Sequence, residues 1–452
     1  MCNYDYSDYH EKILNIKGMD EESAKKVERM LTAKRDHREL DEEDLFTPFC
    51  SEEGKLHRFL EKVKEVNKSA SAFDKRLVVC FRGKELIIYK NNHRLWEIKK
   101  EKNGYSVKFD FNHARYYDEW EKILFTLKGK DYGFVVNYTE KEKGRFIDTI
   151  TGLKAKYRDK TDSVIGGTIG EICCVRESFS DDFVDKTYNI FSELIESFMK
   201  GGKDQFREKI RKLAEEKPNE IKMAGDIHET GTNPYIEKRW QQRLFLHYKE
   251  KRAGKPWIFA YDLEFSQRYP NSEIKEKMIA NEPDMMAIQF NDEGVAEKLL
   301  LIEVKSTYKV CWKVTNNEHH SDLWEHVKGM KAYSNMSFFI RSRINDAYHM
   351  IEQYAKTGLY PAIASAELQS ILSLKDKDVR RVILFTNNNL PKEEENAKKE
   401  KPKSAMDFLK DKNMKKQLTV LISDEDPDCE IWFTEDDYFS DNLEIKTLSL
   451  NQ

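Results

Sequence analysis

From residue 283 to residue 306 the chain reads PDMMAIQFNDEGVAEKLLLIEVKS, two apolar runs on either side of a polar turn. That pattern predicts an antiparallel hairpin, because short apolar runs bounded by turn residues read as buried strands. The charges sit at the ends where the two strands meet: Asp284 opens the first, and Glu303 and Lys305 close the second. Side chains alternate along a strand, so Glu303 and Lys305 share one face while Val304 joins Ile302 and Leu300 on the other. An unpaired charge inside such a run is costly, so these three residues require an explanation that their neighbours do not.

The flanks extend the pattern. An amphipathic helix is expected over residues 234–249, with Ile236, Trp240 and Leu244 on one face, and a strand over 257–265. Beyond the hairpin, helices are expected over 321–335 and 344–357, and strands over 379–386, 418–423 and 430–434. The charged, low-complexity stretch 391–403 reads as a mobile loop. This half predicts an α/β domain with a mixed central sheet flanked by helices.

The N-terminal half is patterned differently. Residues 1–70 read as helices with charged surfaces, with Ala24, Val27, Met30 and Leu31 at helical spacing. From residue 75, short β-rich runs between Gly or Asn turns predict an antiparallel β meander, further strands are expected over 133–138 and 163–175, and residues 185–200 read as a helix. Single cores stop growing at roughly 250–300 residues, and this chain has 452. Two domains follow: an α+β domain over 1–204 and the α/β domain over 205–452, divided in the highly charged stretch after Gly201-Gly202.

Composition removes several classes. Lys and Arg number 77 against 81 Asp and Glu, a net charge of -4, so any basic groove must be local. The seven cysteines are scattered without CxxC spacing, which argues against a disulfide framework or zinc ribbon and for a reducing compartment. No segment approaches the roughly 18 apolar residues of a membrane span. No basic leader opens the chain, and a cytoplasmic location is expected, with no membrane partner. The glycine cluster Gly166, Gly167 and Gly170 lacks the lysine of a phosphate-binding loop.

The hairpin charges have a chemical reading. Asp284 and Glu303 supply hard oxygen ligands of the kind that hold Mg²⁺, or Mn²⁺ in its place, and the Val304 carbonyl can complete the shell. Lys305 beside them can polarise an attacking water or stabilise the charge that builds on a phosphate. The order of elements and residues closely resembles the PD-(D/E)xK restriction-endonuclease-like superfamily, over residues 233–386. The resemblance implies a restriction-endonuclease-like fold and a catalytic core of Asp284, Glu303 and Lys305, with Glu237 on the preceding helix as an auxiliary acid and metal ligand. It further implies a Mg²⁺-dependent endonuclease acting on DNA, of the kind that serves as effector in bacterial anti-phage or restriction systems. In that setting the N-terminal domain recognises a target, senses a signalling ligand or binds a protein partner, and a homo-oligomer pairs two sites. The RecB-like branch adds a Gln-xxx-Tyr motif; Tyr333 is present here, but Gly329 stands where the glutamine belongs. Lys328 and Lys331 on the same helix are placed to approach a phosphate backbone.

Plainer readings stand beside these. ExK is common in a chain rich in both residues and can be a structural salt bridge, and Glu237 can be a solvated helix position. Asp262 and Glu264 are rival acids on the preceding strand. His319, His320 and His326 match no strong zinc spacing and read as loop histidines, and the adjacent Cys173 and Cys174 as core thiols. Trp96, Tyr89 and Tyr105 in the meander form either a base-stacking surface or sheet core. For function the alternatives are a catalytically silent nuclease-fold module for nucleic-acid binding or assembly, and a nuclease acting on RNA. Converging Asp284 and Glu303 carboxylates favour the enzyme, and separated or lysine-capped ones favour the silent module.

Overall fold

The computed structural model describes residues 20–22, 50, 52–70, 76–82, 85–90, 93–101, 104–110, 122–127, 135–137, 171–176, 184–185, 188–189, 191–192, 195, 221–227, 236–249, 255–263, 283–311, 322–335, 337–360, 362–387 and 404–449. They group into two compact units, one within Asp41–Tyr235 and one that combines Met1–Leu40 with Ile236–Gln452. The expected boundary at 204/205 and the charged loop 391–403 lie outside the described residues, as does most of 1–70.

In the first unit, helix α1 (His57–Ser69) buries Phe59, Leu60, Val63 and Val66, the spacing of one helical face. Strands β1 (Leu77–Arg82), β2 (Glu85–Lys90), β3 (His93–Glu101) and β4 (Gly104–Asp110) run as the expected antiparallel meander. Strand β5 (Lys122–Leu127) pairs with β8 (Ile221–Ile227), while β6 (Val135–Asn137) and β7 (Glu171–Arg176) extend the meander in the order β1-β2-β3-β4-β7-β6. The Asn67 amide donates to the Leu77 carbonyl and accepts its N–H, at 2.9 and 2.7 Å, tying α1 to the edge strand. Trp96 and Tyr89 are buried, and Trp96 packs against Phe59 and Phe191, so both belong to the core rather than to a stacking surface.

The second unit opens with helix α2 (Ile236–His247), followed by strands β9 (Trp257–Leu263), β10 (Met285–Phe290) and β11 (Ala296–Lys305), all antiparallel. Gly294 turns the hairpin with φ 81°, a conformation that favours glycine, and the Asn291 carboxamide oxygen accepts from Glu293 and Val295 N–H. Helices α3 (Tyr308–Cys311), α4 (Asp322–Ser334), α5 (Ser337–Thr357) and α6 (Ser365–Ile371) carry the chain to β12 (Val379–Phe385), parallel to β11. A parallel neighbour requires such a crossover. Helices α7 (Ala405–Lys410) and α8 (Lys412–Glu425) form a second crossover to β13 (Glu430–Phe433), which β14 (Lys446–Leu448) flanks antiparallel. The mixed sheet runs β14-β13-β12-β11-β10-β9.

One expected element is different. Residues 418–423, read as a strand, lie inside α8. Leu418 and Ile422 are the buried residues of that helix, one turn apart, whereas Val420 between them is 51% exposed. The β-branched composition of LTVLIS is therefore overridden by a helical burial period and by Asp411, whose carboxylate caps the Asn413 and Met414 N–H groups. Helix α5 begins at Ser337, earlier than the 344 expected. Cys50, Cys80, Cys311 and Cys429 are buried, and the Cys311 thiol donates to the Thr307 carbonyl at 3.4 Å. Among the described residues no helix is long and apolar enough to cross a membrane.

Candidate active site

The hairpin register decides the site. Met285 pairs with Ile302, so the next positions in an antiparallel ladder set Asp284 beside Glu303. Strand β10 ends there, and the side chain of Asp284 takes over from its backbone: Oδ2 accepts the Val304 N–H at 2.7 Å. In a strand the N–H and C=O of one residue point to the same side, so the Val304 carbonyl also faces the Asp284 flank.

Glu303 and Lys305 point away from Val304, as alternation requires, yet their face is not open to solvent: each side chain is 2% exposed. Lys305 Nζ donates to Glu303 Oε1 at 2.6 Å, and His326 Nδ1 from α4 lies 3.1 Å from the same oxygen. Glu303 Oε2 is buried without a hydrogen-bond partner. From α2, Gln241 Nε2 donates to Asp284 Oδ1 at 2.5 Å. Glu237, one turn earlier on the same face, accepts the Ser306 N–H and leaves Oε2 buried without a partner.

These groups act on one another as a single electrostatic cluster. Burial, then the charges of Glu303 and Glu237, push the Asp284 carboxyl well above the usual carboxylate range, against the pull of Lys305 and the Val304 N–H. Burial also raises Glu237, with Lys305 opposing and Glu303 reinforcing. Burial works against the charged form of Glu303 too, but Lys305 and then His326 outweigh it and hold the carboxyl below its ordinary value. Burial disfavours the charged Lys305, yet Glu303, Glu237 and Asp284 together raise its pKa well above that of an ordinary lysine.

Three carboxylates thus surround one ammonium, with a 27% exposed imidazole at the margin. Among the described residues no three His, Cys, Asp or Glu side chains converge closely enough to hold a metal ion by themselves. Mg²⁺ asks for less, since it keeps several waters and binds through one or two carboxylates. Asp284 and Glu303, the Val304 carbonyl on their flank, and the unpartnered oxygens of Glu303 and Glu237 fit that demand.

The five residues singled out from the sequence, Asp284, Glu303, Val304, Lys305 and Glu237, come together here. Asp262 lies buried on β9 with Oδ1 accepting the Leu263 N–H, while Glu264, His319 and His320 fall outside the described residues, as do the side chains of Cys173, Cys174 and Tyr105. His326 is corrected: it sits in helix α4 against Glu303, not in a loop. Lys331 donates to the Glu425 carbonyl and so packs against its surroundings, while Lys328 is exposed and lies over the ring of Trp324, one turn earlier in the same helix, at 4.4 Å. Gln241 goes unremarked in the sequence, although its place one turn after Glu237 is the signal that finds it. No protein-family model, curated protein or solved structure matches the chain.

Proposed function

We propose that this chain is a Mg²⁺-dependent endonuclease of the PD-(D/E)xK type, with a restriction-endonuclease-like second unit that hydrolyses DNA phosphodiester bonds. One observation carries the reading: Glu237, Asp284 and Glu303 crowd around Lys305 at the end of the hairpin, with two carboxyls driven up by burial and mutual repulsion. Such a cluster is short of positive charge, and a divalent cation is what would relieve it.

Asp284 and Glu303 would hold the ion, with the Val304 carbonyl beside them and Glu237 behind. When bound, Mg²⁺ supplies a polarised water and neutralises charge on the phosphoryl oxygens. Lys305 stays protonated among three carboxylates, so its part is electrostatic: it stabilises the charge that builds in the transition state rather than abstracting a proton. The helix, three antiparallel strands, helices and parallel strand formed by α2 through β12 support the family resemblance in the order of its parts. The first unit then serves for target recognition, signal sensing or partner binding, as in a defence effector.

A silent nucleic-acid-binding or assembly module is favoured by one contact, the Lys305 cap on Glu303. Against it stands the make-up of the site, because three acidic side chains around one lysine offer a phosphate backbone no excess of positive charge unless a further cation is present. The test is nicking of supercoiled plasmid with Mg²⁺ or Mn²⁺, beside the same assay on RNA. Cleavage by wild type, lost in Asp284→Ala and Lys305→Ala, supports the enzyme. Equal products from wild type and Lys305→Ala reject this site as catalytic, and cleavage of RNA alone reassigns the substrate.

A further inference from the structure

Two contacts in the site come from outside the hairpin and from different helices. Gln241 on α2 donates to Asp284 Oδ1, and His326 on α4 reaches Glu303 Oε1 at 3.1 Å. We propose that Gln241 and His326 are positioning residues that hold the Asp284 and Glu303 carboxylates in the orientation a divalent cation needs. The inference rests on the metal-dependent reading above.

A carboxylate turns about its last torsion with little resistance, so a ligand pair is only as ordered as the bonds made to its oxygens. Asp284 is gripped at both: Val304 N–H on Oδ2 and Gln241 on Oδ1. An ionised carboxylate has about four lone-pair sites, so each gripped oxygen keeps one for a cation. Glu303 is gripped on Oε1 by Lys305 and His326 together, which leaves Oε2 buried and open. The two grips therefore choose which lone pairs remain.

The residue types fit this task better than a structural one. Helix α2 also carries Arg239 and Arg243, both buried, and Arg243 is spent on the Ser440 carbonyl at 2.7 Å. The side chain set against Asp284 is the neutral amide between them. An arginine there would pair the carboxylate and compete with a divalent ion, whereas an amide fixes its direction and leaves its charge in place. Partners that orient metal-binding carboxylates and imidazoles typically matter by about 10- to 100-fold in affinity or activity.

The measurement is Mn²⁺ binding to the full-length protein by calorimetry and by the loss of its free-ion paramagnetic resonance signal. Gln241→Met keeps length without a donor, His326→Leu removes the ring donor, and His326→Asn returns an amide N–H near the Nδ1 position. We expect Gln241→Met and His326→Leu each to weaken Mn²⁺ binding by roughly 10-fold or more, with His326→Asn recovering most of the loss. Unfolding in EDTA checks that each variant is folded; should His326→Leu fail there, His326→Asn against His326→Gln carries the comparison, since Gln places its N–H near Nε2 instead. Wild-type Mn²⁺ affinity in both Gln241→Met and the histidine variant overturns the inference. Asp284→Ala separates this from failure of the parent reading: if it binds Mn²⁺ as wild type does, the metal site itself is wrong.

Discussion

Lys305 Nζ lies 2.6 Å from Glu303 Oε1, and neither side chain is more than 2% exposed. Removing one partner of a buried ion pair strands the other charge, which typically costs about 3–5 kcal/mol. Lys305→Met in EDTA near pH 7.5 should lose stability of that order by urea denaturation, because it also withdraws the charge that offsets Asp284 and Glu237. Adding Glu303→Gln in the same chain should restore most of it, a coupling that a double-mutant cycle measures. A loss under about 1 kcal/mol in Lys305→Met would show that the pair is not the main support of the buried carboxylate.

The pH dependence has a defined sign. The folded-state pKa of Asp284 is raised, so its neutral form is the one the fold prefers. That stability is fully present below the unfolded carboxyl value near 4 and is lost as pH rises through the raised value. Glu237 adds in the same direction, while the lowered Glu303 contributes above its unfolded pKa and is lost on acidification. In EDTA, Asp284→Asn should therefore melt higher than wild type at pH 8, with a gap that narrows toward pH 4. A gap that is constant across that range would assign the effect to packing instead of ionisation.

The β10–β11 hairpin is legible from residues alone, because its apolar runs, polar turn and terminal charges agree with one another. The alternation that sets Glu303 and Lys305 opposite Val304 follows from strand geometry without any tertiary knowledge. Its consequence does not: both faces of β11 are covered, and helices α2 and α4 bring in Gln241 and His326 from far along the chain. Spacing sets Gln241 rather than Gln242 one turn after Glu237, but no local pattern in IEKRWQQRLFLH shows that this side of α2 meets the strand ends. Helix α8 failed for another reason. A short run rich in β-branched residues satisfies strand and helix periods alike, and the cap that decides between them sits outside the run, at Asp411.

That reading of α8 can be tested by position. Ile422→Ala should cost about 2–5 kcal/mol, as buried aliphatic truncations do, whereas Val420→Ala, at a 51% exposed position, should stay within about 0.5 kcal/mol. Asp411→Ala should cost about 1 kcal/mol through loss of the cap on Asn413 and Met414. A strand over the same residues would bury alternate positions, so that Leu418, Val420 and Ile422 shared a face. Chemical denaturation of the three variants distinguishes the two: comparable losses at 420 and 422 would restore the strand.

Metal linkage joins the site to the stability of the whole second unit. A ligand that binds only the folded state stabilises it by RT ln(1 + [L]/Kd), about 2.7 kcal/mol at a hundredfold excess over Kd. Mg²⁺ or Mn²⁺ should therefore raise the melting temperature of wild type and leave that of Asp284→Ala unmoved. Protons compete for the same oxygens, because Asp284 and Glu237 hold theirs to higher pH than ordinary carboxylates. The metal-induced shift should grow with pH above neutrality and shrink below it, opposite in sign to the change in the metal-free protein. Thermal melts across that range with and without the ion measure both trends. An equal shift in wild type and Asp284→Ala would place the ion elsewhere in the chain.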